Sequence, residues 1–149
     1  MPDEPTTADD ELLAAAMRGL ADAVVIADGE GTIVLWNAAA TRLFGWEEAE
    51  ALGQSLDLII PDRHRERHWE GYRRVMATGH TSYGDRLLEV PSLHRDPDKR
   101  LSIAFTVTLI GPEGGAPRAI VAVVRDETQR WQERKALRAE LEQLRGNTG

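Results

Sequence analysis

The run Asp62-Arg63-His64-Arg65-Glu66-Arg67-His68-Trp69-Glu70-Gly71-Tyr72 places His64, His68 and Tyr72 four residues apart, with Val75 three further on. On a helix that spacing lays them along one face. A neutral imidazole is a good axial donor to iron and enters an apolar pocket at modest desolvation cost. The His64 and His68 pair could instead grip a metal ion, but no third ligand is fixed and the pattern is not His-Glu-x-x-His. The plain alternative is a structural histidine on a helix face. If Arg86, Leu88 and Val90 share one face of a strand, a guanidinium is aligned with two apolar side chains and needs a partner. Shifted by one position, Arg86 is an exposed charge. Ile103, Phe105 and Val107 would wall a pocket in either case. His80 and His94 fall at loop or strand-end positions, where solvation is expected.

Much chemistry is excluded by composition. The 149 residues contain no cysteine, so there is no disulfide scaffold, thiolate zinc site or cysteine nucleophile. A formal net charge of -7 argues against nucleic acid as a main partner. No apolar run reaches the roughly 18 residues of a membrane span, and the acidic start is unlike a signal peptide, so a cytoplasmic location is expected. There is no Gly-x-Ser-x-Gly. Gly111-Pro112-Glu113-Gly114-Gly115 reads as a hairpin turn, not a phosphate cradle, and no enzymatic constellation is found.

The elements that must position these residues follow from periodicity. Residues 1–8 are Pro/Thr/Asp-rich and predicted disordered. Asp9 or Asp10 caps a helix over 9–21 with Leu13, Met17 and Leu20 as one apolar stripe. Ala23 to Ala27 and Thr32 to Trp36 form a hairpin across Asp28-Gly29-Glu30-Gly31. Asn37 caps a short helix that stops at Gly45, and Glu47 to Leu52 adds a turn or two. Pro61 suits the first turn of a longer helix ending at Gly79. Arg86 to Leu93 is a weaker strand, with Pro91 marking an edge or bulge. Leu101 to Leu109 alternates cleanly as a half-buried strand, and Ala119 to Val124 is the last. A charged helix follows over 128–149, carrying Leu137, Leu141 and Leu144 in coiled-coil spacing. The class is α+β with an antiparallel sheet. Two terminal stripes without a place in such a core predict a homodimer.

Specific strings sharpen this order. Ile33-Val34-Leu35-Trp36-Asn37-Ala38-Ala39-Ala40 and Leu43-Phe44-Gly45-Trp46 match the pattern N-x-A-A-x-x-L-F-G-[YW] of the PAS sensor family. Glu48 with Ala51-Leu52-Gly53 resembles its E-x-x-G continuation. Val123-Val124-Arg125-Asp126-Glu127-Thr128 resembles the R-D-x-T that hands the last strand to an output helix. The resemblance covers residues 10 to 130. It implies a five-stranded antiparallel sheet flanked by short helices, a PAS core over 22–127, a pocket between sheet and helices, and signals leaving through the terminal helices.

Arg65-Glu66-Arg67-His68 resembles the helix of haem-binding PAS gas sensors, whose R-x-R-H supplies the iron ligand. The resemblance implies haem b on His68, with Tyr72 nearby, although the tyrosine stands four residues on where those sensors have it at three. It also implies that the stretch around Arg86 and Leu88 contacts a bound diatomic gas, or that Arg86 meets a haem propionate. Ile103, Phe105 and Val107 would complete the cofactor wall. The photochemical flavin branch needs an N-C-R-F-L cysteine, which this chain lacks. A redox FAD site, with Trp36, Asn37 and Trp69 beside the ring, stays open, as does a cofactor-free dimerisation module. The output would lie in a partner or in a fused domain.

Overall fold

The computed structural model describes residues 7–81, 87–112 and 115–147. Most of the predicted tail, together with Arg86 and the Glu113-Gly114 turn tip, falls outside them. The first helix, α1 (Thr7–Gly19), starts earlier than predicted. Asp9 and Asp10 thus sit inside its first turn, where carboxylates oppose the positive helix end. Next come strands β1 (Ala23–Asp28) and β2 (Ile33–Trp36), helices α2 (Ala38–Phe44) and α3 (Glu48–Ala51), and a 3-10 turn over Leu56–Leu58. The long helix α4 (Asp62–Thr78) leads to β3 (Leu88–Ser92), β4 (Leu101–Ile110), β5 (Ala119–Asp126) and α5 (Thr128–Asn147). Pro61 stands just before α4 with extended ψ, one place outside the helix it was expected to open.

The strands form one sheet in the order β2-β1-β5-β4-β3, every neighbouring pair antiparallel. Pro91 lies on edge strand β3, where no outer neighbour needs its missing N–H. The β1–β2 turn is held by Asp28, whose Oδ1 accepts from the Glu30 and Thr32 amides. Its Gly31 has φ +83°, and a Cβ there would meet the Trp69 ring at 2.1 Å. Only glycine allows both the turn and that contact.

One end of the sheet is densely filled. Trp36 and Phe44 are buried with ring centroids 5.3 Å apart, among Ile33, Ala40 and Ala51. Asn37 is buried and fully used. Its Oδ1 accepts from Val24 and Ala40 amides, and its Nδ2 donates to the Met17 and Asp22 carbonyls. The predicted cap of α2 therefore also pins α1 and β1. Gly45 closes α2 at φ +85°, with its amide donating to Thr41.

Candidate functional site

The other end of the sheet is hollow. A cavity of about 320 Å³ lies between α4 and the sheet, near the lower end of the range for small-molecule sites. Its sheet wall is apolar: Val25, Ala27, Leu88, Ile103, Phe105, Val107 and Val124 all line it. The alternation of β4 explains this, since every second residue from Ile103 to Leu109 faces the cavity. From α4 come His64, Arg67, His68, Gly71, Tyr72 and Val75, the predicted face with Arg67 and Gly71 added.

His68 is half-buried, and its Nδ1 is enclosed with no hydrogen-bond partner. Burial lowers its pKa below the ordinary value, against a smaller opposing pull from the Asp57 carboxylate. The ring is flanked by Trp69 and Tyr72, at centroid distances of 4.7 and 5.7 Å. A neutral imidazole with an unengaged buried nitrogen suits an iron ligand, because that nitrogen can still find a partner. On that ground the residues present fit haem.

Tyr72 lines the cavity with its ring, but its hydroxyl donates to the Asp28 carbonyl in the β1–β2 turn. Burial, with the Asp28 charge, pushes its pKa up to about 12, so it stays a donor. Tyr72 thus fastens α4 to the sheet, and its hydroxyl is taken. Trp69 fastens the same helix elsewhere, its Nε1 donating to Asp57 Oδ1 at 2.7 Å. Arg65 adds bonds to the Ile60 and Asp57 carbonyls at 3.0 and 3.1 Å.

Other expectations are corrected. Trp36, Asn37 and Trp69 are not among the cavity residues, so they do not flank a flavin ring there. Trp36 is instead core, with Nε1 donating to Trp46 O and Thr41 Oγ1, and Asn37 spends its amide on backbone. His94 is only partly solvated. It is half-buried, its ring lies against Gly45, and its Nδ1 accepts from the Asp96 amide. His80 is exposed, as expected. Among the described residues no three His, Asp or Glu side chains gather to hold a metal ion. No helix among them is long and apolar enough to cross a membrane. Arg86 lies outside the described residues. Arg67 also lines the cavity, a place that the spacing of His64, His68 and Tyr72 did not single out.

The strand-to-helix junction is built as the motif suggests. Asp126 Oδ1 accepts from the Thr128 amide at 2.9 Å. Thr128 Oγ1 accepts from the Ser102 amide at 3.0 Å, and the Glu127 amide donates to Ser102 O at 2.8 Å. The start of α5 is thereby tied to β4, whose residues wall the cavity. Beyond it, Leu137, Leu141 and Leu144 are exposed, as are Leu12, Leu13 and Leu20 at the other terminus.

A one-sheet α+β domain folded around a ligand-sized cavity, with a helix tied to the sheet at each terminus, is the class that this geometry defines. The chain belongs to the PAS family, whose PAS fold model matches residues 11–126. It is 35% identical over 117 residues to an uncharacterized protein of Azorhizobium caulinodans, covering 78% of this chain and 16% of that one. It is 43% identical over 66 residues to the sensor protein FixL of Bradyrhizobium diazoefficiens, covering 44% of this chain and 13% of that one. The chain therefore spans less than a fifth of either relative. In fold it resembles the PAS domain of a Colwellia psychrerythraea protein, with TM-score 0.68, 22% identity, and coverage of 81% and 98%. It also resembles an RNA-binding light-oxygen-voltage receptor, with TM-score 0.70, 19% identity, and coverage of 98% and 40%. The expected family and five-stranded antiparallel fold are borne out, and the chain is a PAS sensory domain of signalling.

Proposed function

We propose that this sensory domain takes haem b through His68 and reports a diatomic gas or a redox state through its terminal helices. The observation that carries the reading is the His68 imidazole, which lines the cavity, is kept neutral by burial and has a buried nitrogen without a partner. Its string Arg65-Glu66-Arg67-His68 resembles that of haem-binding PAS gas sensors. Bound haem would supply an iron centre that takes a diatomic gas or changes oxidation state. The chain's own residues would do the rest. Leu88, Ile103, Phe105 and Val107 exclude water and pack the flat face of the group. Tyr72 and Trp69 hold α4, and with it His68, at a fixed height above the sheet. From its sequence position, Arg86 would contact bound gas or a propionate.

Displacement of the β4 wall would reach α5 through Ser102 and Thr128. The exposed leucines of α1 and α5 would pair two copies, and a partner or fused domain would carry the output. The domain would itself be non-catalytic and cytoplasmic, with no nucleic-acid or membrane partner. The test is haemin reconstitution, with size read by light scattering. Wild type should be dimeric and show a Soret band that His68→Ala loses or displaces. Protein that stays colourless with haemin would leave the cofactor-free interaction module, for which the exposed leucine stripes speak. Flavin absorbance would point to FAD.

A further inference from the structure

The two walls of the cavity differ in chemistry. The sheet wall offers only apolar side chains, while the α4 wall offers His64, Arg67, His68 and Tyr72. No aspartate or glutamate lines the cavity among the described residues. The Tyr72 hydroxyl is engaged by Asp28 O. His64 Nε2 accepts from Arg63 Nε at 3.2 Å, so that nitrogen is engaged. Arg67 is the one guanidinium among the described residues of the lining.

Of the other α4 arginines, Arg63, Arg65 and Arg74 are occupied, and Arg73 lies outside the cavity. Arg65 pairs with Asp62 at 2.6 Å, and Arg74 pairs with Glu70 at 3.5 Å, so the carboxylate one turn beyond Arg67 is already engaged. Arg67 makes no ion pair or hydrogen bond within the described residues. It is exposed and lines the cavity, and therefore stands at its rim. A long side chain there lays its stem on apolar surface and keeps its guanidinium at the water's edge. A planar fork of donors in that place matches a carboxylate. The net charge of -7 does not cancel it, since charges beyond about 8 Å are largely screened at physiological salt.

We propose that the cavity binds an aliphatic monocarboxylic acid, its chain against the β4 and β5 wall and its carboxylate on Arg67. Haem and the acid would occupy the same space, so this assignment is made for the haem-free protein. Each methylene buried should tighten binding about fourfold until the cavity is full.

The experiment compares decanoate with decanol, which has the same chain and no charge, by isothermal titration calorimetry on the full chain. Wild type should bind decanoate at least tenfold more tightly than decanol. Arg67→Gln should bring that ratio close to one, whereas Arg73→Gln, on an exposed arginine outside the cavity, should leave it unchanged. Equal affinities in wild type, a preference that survives Arg67→Gln, or no decanoate binding would each overturn the proposal. Haemin uptake is scored separately. A protein that refuses haemin yet discriminates acid from alcohol through Arg67 keeps this inference and loses the haem reading.

Discussion

The two ends of the sheet solve the same burial problem in opposite ways. Under α2, Trp36, Phe44 and Asn37 fill the space, and the Asn37 amide is satisfied at four backbone groups. Under α4 the sheet offers an equally apolar surface, but the helix stands off it and leaves a cavity. Each end has one buried ring nitrogen without a partner, Trp46 Nε1 at the dense end and His68 Nδ1 at the hollow end. They are not equivalent. An indole nitrogen has only a proton to donate, and Arg95 already covers that ring at 5.5 Å. An imidazole nitrogen can carry a lone pair. A filled core and an unfilled one on a single sheet separate the residues that hold the fold from those that are free to bind.

The largest expected effect tests that separation directly. Phe44→Ala should cost about 3–5 kcal/mol in urea unfolding, the range for an aromatic removed from a filled core. Phe105→Ala, on a wall that already borders empty space, should cost less than half as much. Equal losses would mean that the hollow end carries as much of the stability as the dense end.

A smaller effect of opposite sign is expected at His68. His68→Leu removes a buried unsatisfied nitrogen and should stabilise the cofactor-free protein by about 1 kcal/mol. The pH dependence sharpens this. Because burial lowers the folded pKa below 6.5, the unfolded chain binds the extra proton first as pH falls. Wild-type stability should therefore fall between pH 6.5 and the lowered folded value, with no contribution from His68 above that window. The advantage of His68→Leu should widen in the same interval, measured by urea midpoints at pH 7.5 and 5.5. A constant difference would show that His68 is not held neutral.

Smallest of the three is Tyr72→Phe. It removes the bond to Asp28 O, which keeps the Gly31 amide as a donor at 3.0 Å, so the loss should be about 0.5 kcal/mol, the low end for a hydrogen bond. Hydrogen exchange should then quicken in the β1–β2 turn and leave α2 unchanged. Faster exchange in α2 would mean that the two ends are not independent.

How far the sequence spoke differs between the ends. The dense end was legible because Asn37 and Gly45 act through local rules of capping and backbone conformation, and the β1–β2 turn beside α4 obeys the same rules. The helical face of His64, His68 and Tyr72 and the alternation of β4 were legible for the same reason. What was not legible depends on approach across the fold. Tyr72 spends its hydroxyl on a carbonyl 44 positions earlier, and Trp69 fits against Gly31, neither of which periodicity announces. Trp36 and Asn37 looked like ring neighbours because their types suit one, yet the sheet turns them into the filled core. Arg67 stood only as a member of the Arg65-Glu66-Arg67-His68 string, because its lack of a partner appears only when the ion pairs of α4 are drawn.

The strand order has a consequence for how the chain acquires its shape. Strand β5, the last to be made, lies between β1, the first, and β4. Val25 pairs with Ala122 across nearly the whole length of the domain. A growing chain therefore carries the β1–β2 hairpin with its inner edge unpaired until the final strand leaves the ribosome. Closing that distance is entropically costly and should make folding slow and all-or-none. Both ends of the sheet, filled and hollow, come into being in the same step.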